Sequence, residues 1–244
     1  MNYEPNKTGY TVLQSIFLLV ITTTVLLYCY IEGKLYYGLI IMVSFSLQQI
    51  CLWKLKRKRI FLEKTILFFT YFFPLLFGLK DNTEFTVPMQ VFLFSGIVVI
   101  VLYYLINRRS IKILLSKEYI EKYSPPLNKK EFSIECYSLF TIPIAEEFFF
   151  RNFLFSLFNK SLISVIFTVL IISFLFVVSH YNSPWAPYLM GKKDLFWLFI
   201  LSSFLIILKL SFQSIILCIL VHYFFNLPTF LNYLSRLKKS KVYK

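Results

Sequence analysis

Charged side chains are scarce in this chain: Asp, Glu, Lys and Arg make up 16% of its 244 residues, against about 25% in an ordinary soluble domain. Apolar residues take their place, at 58% of the sequence with 20% aromatic and a mean hydropathy of +0.68. A soluble core cannot absorb that much apolar side chain, which excludes an ordinary cytosolic domain. The apolar residues fall into runs of roughly 18 to 22, the length at which a helix crosses about 30 Å of hydrocarbon. These runs lack the two-residue alternation of barrel strands, which excludes a β-barrel. Cysteine is also sparse: Cys29, Cys51, Cys136 and Cys218 have neither disulfide-like nor metal-like spacing and read as small core residues. The motifs His-Glu-x-x-His and Gly-x-Gly-Asp are missing, and no Gly-x-Ser nucleophile signature accompanies the histidines. Internal repeats are absent, and so are the paired Gly or Pro breaks of a transporter built from two halves.

What is present is a set of eight apolar runs, at about 11 to 31, 36 to 53, 60 to 79, 86 to 106, 133 to 158, 161 to 180, 194 to 210 and 212 to 234. The first follows Lys7 without an Ala-x-Ala exit and reads as a retained span, not a cleaved signal peptide. Placing the N-terminus in the cytoplasm puts 21 of the 26 basic residues on cytoplasmic segments and leaves Lys34, Lys80, Lys160 and Lys209 outside, with Arg151 inside a span. That bias predicts an all-α polytopic transmembrane bundle of about eight spans with both termini cytoplasmic. It also accounts for the net charge of +14 without nucleic acid, because the cations lie between spans. The organisation that follows is four leading spans over 1–106, a cytoplasmic linker over 107–131 with Pro125 and Pro126, four trailing spans over 132–235, and a basic tail over 236–244. The expected surroundings are the lipid bilayer, with the tail near anionic lipid.

The polar anomalies all fall in the second half and inside apolar runs. Glu146, Glu147 and Arg151 interrupt the fifth run, where a single charge at mid-helix costs roughly 3 kcal/mol of insertion free energy. Such groups need internal partners and a reason to persist. Glu147 and Arg151 are four apart with the acid first, the better orientation for a helical ion pair. Glu146 is displaced by about 100° and points toward another helix. A desolvated carboxylate of that kind suits a general base. The chain has two histidines. His180 closes the sixth run, and His222 stands four residues before Asn226 in the eighth, on one helix face. The bland reading of all six residues is a buried polar cluster that fixes helix packing. If the polar start of the fifth helix, about 128 to 135, projects from the membrane, the three helices can converge in a cavity open to cytoplasmic water.

In order along the chain these residues are Glu146-Glu147-x-x-x-Arg151, Phe176-x-x-x-His180 and His222-x-x-x-Asn226. The set resembles the CAAX prenyl protease and bacteriocin-processing family of intramembrane peptidases, also called the Abi family. The resemblance covers about 133 to 230 and departs from the family's habit at Asn152, where Gly often follows the arginine. It implies that 132–235 is a four-helix catalytic core. It further implies that Glu146 and His180 activate water, that His222 and Asn226 donate to the oxyanion, and that Glu147 with Arg151 braces the site. Glu146, His180 and His222 could also ligate a zinc ion with an open position. The expected substrate is a membrane-associated peptide: a leader, a bacteriocin or a signalling peptide. The alternative within the same family is a non-catalytic membrane immunity or regulatory protein. No feature of the sequence fixes an oligomeric state.

Overall fold

The computed structural model describes residues 35–54, 60–72, 89–123, 126–158, 162–180 and 192–242, with isolated positions between 23 and 34. Among the described residues the chain is helical and contains no strand. The elements are α1 (Leu35–Lys54), α2 (Ile60–Phe72), α3 (Met89–Leu114), α4 (Lys117–Tyr123), α5 (Lys129–Glu147), a π-helical segment (Phe148–Leu154), α6 (Phe155–Phe158), α7 (Leu162–His180), α8 (Lys192–Phe212) and α9 (Ile215–Val242). Two compact units divide the chain: one takes Met1–Asp81 and Phe148–Ile207, the other Asn82–Glu147 and Leu208–Lys244.

In the second of these units α9 is the hub, packing against α5 and α3. Aromatic side chains make much of that contact. The Tyr103 and Phe225 rings lie 4.0 Å apart, and Phe140 meets Tyr223 at 5.7 Å and Phe230 at 6.3 Å. Two tyrosines that reach across also find a carbonyl: Tyr104 donates to Phe224 O at 3.1 Å and Tyr223 to Phe140 O at 2.6 Å, so each ring packs while its hydroxyl is bonded. Gly96 of α3 faces α9, where a Cβ would meet Leu217 Cδ1 at 3.4 Å, an ordinary van der Waals contact.

The C-terminal half of α9 also closes the ends of its neighbours. The last carbonyls of a helix have no partner inside it. Asn232 Nδ2 donates to Leu114 O at 2.9 Å, at the end of α3, and Lys239 Nζ donates to Ile120 O and Glu121 O at 3.3 Å, near the end of α4. At the other kind of end, α5 starts with a reciprocal capping box. Asn128 Oδ1 accepts from Glu131 N at 2.9 Å, and Asn128 N donates to Glu131 Oε2 at 2.9 Å, which satisfies two terminal donors. Asn128→Ala is expected to cost about 1 kcal/mol, read as a lower unfolding midpoint of the detergent-solubilised protein. An unchanged midpoint would mean that packing on α9 alone sets the start of α5.

In the first unit α1 packs on α2, and α2 packs on the π-helical segment. Tyr71 sits against Phe149 and Phe150 with centroids 5.4 and 5.7 Å apart, and Phe150 meets Phe176 of α7 edge-on at 5.1 Å. A hydroxyl pair, Ser203 to Ser173 at 2.9 Å, ties α8 to α7. The core here is Phe149, Phe150, Phe153, Leu154, Ile172, Leu175 and Phe176, each no more than 2% exposed.

Among the described residues two helices are long and apolar enough to cross a bilayer, Asp194–Phe212 and Ile215–Lys239. They coincide with the runs expected at 194 to 210 and 212 to 234. The runs expected at 36 to 53 and 161 to 180 appear as α1 and α7. Those at 60 to 79 and 86 to 106 appear in part, as α2 and α3, and the run at 11 to 31 lies mostly outside the described residues. Large apolar side chains stand exposed on the surface, among them Phe94, Phe167, Ile166 and Ile216, a surface that suits lipid and not water.

Candidate active site

The backbone that carries the acidic pair is irregular on both sides of it. Pro143 lies within α5 and is buried, and its missing N–H deprives the Leu139 carbonyl of the usual acceptor role. Immediately after Glu147 the chain changes to π geometry over Phe148–Leu154, a form found most often as a single turn at functional sites. Five of those seven residues are buried, Arg151 among them. The four-residue spacing that joins Glu147 to Arg151 on paper presumes α geometry. With i to i+5 bonding from Phe148 onward, spacing alone no longer establishes that pair.

In the unit built around α9, the two glutamates meet one imidazole. Glu147 is fully buried and Glu146 nearly so. Nδ1 of His222 donates to Glu147 Oε1 at 2.7 Å, while Nε2 of the same ring is 3.9 Å from Glu146 Oε2. The turn of about 100° between adjacent helical residues was expected to point Glu146 toward another helix while Glu147 paired with Arg151 on its own. Instead both address His222, because the ring presents its nitrogens on different edges and the two carboxylates straddle it. The shorter contact is a hydrogen bond by any geometric standard; the longer one exceeds hydrogen-bond reach. Asn226 is half-buried and stands one helical turn along α9 from His222.

In the other unit the organising side chain is Phe176. The Arg151 guanidinium lies over its ring with Cζ 4.5 Å from the centroid, and the His180 ring packs on it at 4.3 Å. Arg151 is wholly buried, and its Nη2 donates to Ser202 Oγ at 3.2 Å. A buried guanidinium needs such partners, since an unsatisfied charge there is very costly. Nδ1 of His180 donates to the Phe176 carbonyl at 2.8 Å. That bond fixes the tautomer: in the neutral ring Nε2 carries the lone pair. Ser179 Oγ is 3.2 Å from the same Nδ1 and donates to Phe176 O at 2.8 Å.

The six residues singled out in the sequence thus fall into two groups, Glu146, Glu147, His222 and Asn226 in one unit, Arg151 and His180 in the other. Three supporting side chains were missed: Ser202, Ser179 and, as a platform for Arg151, Phe176. A signal existed for the serines, since small hydroxyl residues inside apolar runs often hydrogen-bond within or between helices. Among the described residues no group of three or more His, Cys, Asp and Glu side chains is placed to hold a metal ion.

Among the described residues the chain is all-helical, two helices are of membrane length, and a buried carboxylate–imidazole pair joins α5 to α9, an arrangement compatible with a membrane location. Residues 132–228 match the model of the type II CAAX prenyl endopeptidase, Rce1-like family. The matched stretch contains all six residues and supports the CAAX protease family, whose members are membrane-embedded peptidases. No curated protein and no solved structure matches the chain.

Proposed function

We propose that the protein is a glutamate-dependent intramembrane peptidase that cleaves a membrane-associated peptide. The observation that carries the reading is the His222 ring held between two buried carboxylates, one bonded at 2.7 Å and one standing off at 3.9 Å. Glu147 is bonded to the ring, and Glu146 lies beyond hydrogen-bond reach of it; together with the family resemblance, that difference assigns the base to Glu146. It takes a proton from water, whose oxygen attacks the scissile carbonyl carbon, and the carbonyl π electrons move to the oxygen. With Nδ1–H bonded to Glu147, His222 donates from Nε2 only as the imidazolium, and in that form its Nε2–H and the Asn226 amide donate to the oxyanion. On collapse, the proton held by Glu146 passes to the departing amine. The family resemblance assigns His180 a share in water activation; with Nδ1–H bonded to the Phe176 carbonyl, its Nε2 is an acceptor.

Glu147 takes a different part from the one its spacing suggested. By accepting from Nδ1–H it orients His222 and is the counter-ion to any charge that the ring takes up while Nε2 donates. It is a positioning residue, and partners of this sort are commonly worth 10- to 100-fold. Glu147→Gln is expected to lower kcat by roughly that factor with KM and membrane insertion unchanged. A wild-type kcat would remove Glu147 from the mechanism. Zinc on Glu146, His180 and His222 is the competing proposal for water activation, and activity that survives 1,10-phenanthroline excludes it.

Eight spans, cytoplasmic termini and a cavity reached from the cytoplasm complete the proposal; reporter fusions to the two termini test the topology. For the substrate, a leader, bacteriocin or signalling peptide fits a peptidase in a cell membrane. Comparing membrane peptides from cells carrying the wild type and Glu146→Gln is the direct experiment. A peptide that appears only with the wild type identifies substrate and cleavage site together. Identical peptide profiles, with both proteins inserted, would favour the immunity or regulatory alternative.

A further inference from the structure

The C-terminal end of α3 carries a feature that the peptidase reading does not use. Arg108, Arg109, Lys112, Ile113, Ser116 and Glu118 line an open groove of about 770 Å³, all within one compact unit. Three of these side chains are cationic and one is acidic. The groove is concave because the chain turns at Ser116, whose Oγ donates to Ile113 O at 2.8 Å and accepts from Tyr119 N at 3.2 Å, so that α4 starts beside the end of α3. The helix leading into it has a long exposed apolar face: Phe94, Ile97, Val101, Leu105 and Ile106 are between 48% and 70% exposed. At helical spacing of three, four and seven residues, that face runs on directly into Arg109, Lys112 and Ile113. A ligand that matches both parts has an apolar chain and an anionic head.

We propose that this groove binds the phosphate headgroup of an anionic phospholipid, with the acyl chain along the exposed face of α3. A topology signal alone explains cations after an apolar helix; it does not explain why they wall a concavity with a half-exposed isoleucine, Ile113, at its edge. The proposal rests on the membrane setting of the chain and is independent of the cleavage chemistry.

The test uses the full chain in neutral detergent, titrated with dioctanoyl phosphatidylglycerol, dioctanoyl phosphatidylcholine and inorganic phosphate. Phosphatidylglycerol is expected to bind more tightly than either of the others. Arg108→Gln/Arg109→Gln/Lys112→Gln should weaken it by about tenfold or more, given the attraction each cation contributes near an anionic surface. A matched set, Lys129→Gln/Lys130→Gln/Lys238→Gln, removes as many exposed cations from residues that do not line the groove and should change binding by roughly twofold or less, because exposed charges are strongly screened. Glu118→Gln removes the one acid in the groove and should tighten binding; this variant decides the matter if the triple variant fails to fold. Equal losses in the two triple sets, equal affinity for phosphatidylcholine, or no tightening in Glu118→Gln would overturn the proposal. Inorganic phosphate binding as tightly as phosphatidylglycerol would overturn the assignment to a lipid.

Discussion

Glu146→Gln is expected to reduce peptide cleavage by about 10²- to 10⁴-fold, the usual contribution of a positioned general base, while the protein stays inserted and its unfolding midpoint hardly moves. The amide is nearly isosteric with the carboxylate, so packing against α9 is preserved. It has no comparable capacity to accept the proton. At 3.9 Å from His222 Nε2, Glu146 Oε2 makes no hydrogen bond to the ring that the substitution could break, and the expected insensitivity of stability rests on the matching shape of the amide. Glu147→Gln offers the contrast, because there the substitution enters a 2.7 Å bond and disturbs the orientation of the ring without removing the base. If the two variants lose activity equally and both lose stability, the glutamates form one structural cluster and the separate roles collapse. If Glu146→Gln cleaves at the wild-type rate, the assignment of the base is wrong.

The long apolar runs made α8 and α9 legible, since hydropathy and length are additive properties of a sequence. What they could not show was that α9 is the hub of its unit. A helix that is apolar most of the way round carries no face signal, and the choice of partner is made by particular contacts such as Gly96 under Leu217 or Tyr223 on Phe140. The polar start of α5 was readable as residues outside the apolar run, and the Asn128–Glu131 box shows how that start is held. The π-helical segment was not readable, because a 3.6-residue repeat was imposed on a stretch, Phe148–Leu154, in which nearly every residue is apolar.

The chemistry was legible in outline and not in its pairings. The three short motifs named every residue of the carboxylate–imidazole group, yet Glu147 and His222 are 75 positions apart and no local rule joins them. Spacing offered Arg151 as the partner of Glu147 and Asn226 as the neighbour of His222. Local rules capture neighbours along a helix; the bond that sets the ring's orientation is tertiary. Phe176 shows the same limit from the other side. In the sequence it is one phenylalanine among 29, and only its place beneath both Arg151 and His180 explains why an aromatic ring is needed four residues before the histidine.

That place leads to the largest expected effect on stability. Arg151→Ala should destabilise the protein by about 3–5 kcal/mol, the range for removing a large, fully buried side chain without collapse of the site. Among the described residues Arg151 is the largest of the fully buried side chains, and its guanidinium lies against Phe176 at 4.5 Å and Phe150 at 5.8 Å, themselves fully buried. Truncation leaves a space between rigid rings and takes the donor from Ser202 Oγ. Arg151→Lys separates charge from shape. Lysine keeps the cation but has neither the planar group that lies on Phe176 nor the forked donors. A loss from Arg151→Lys close to that from Arg151→Ala would show that the stack and the fork hold the segment, and near wild-type stability would show that charge alone does. Because the His180 ring rests on the same phenylalanine, the stacking account also requires Arg151→Lys to lower kcat. Full activity in a destabilised Arg151→Lys protein would separate the guanidinium from the placement of His180 and leave it as a packing residue only.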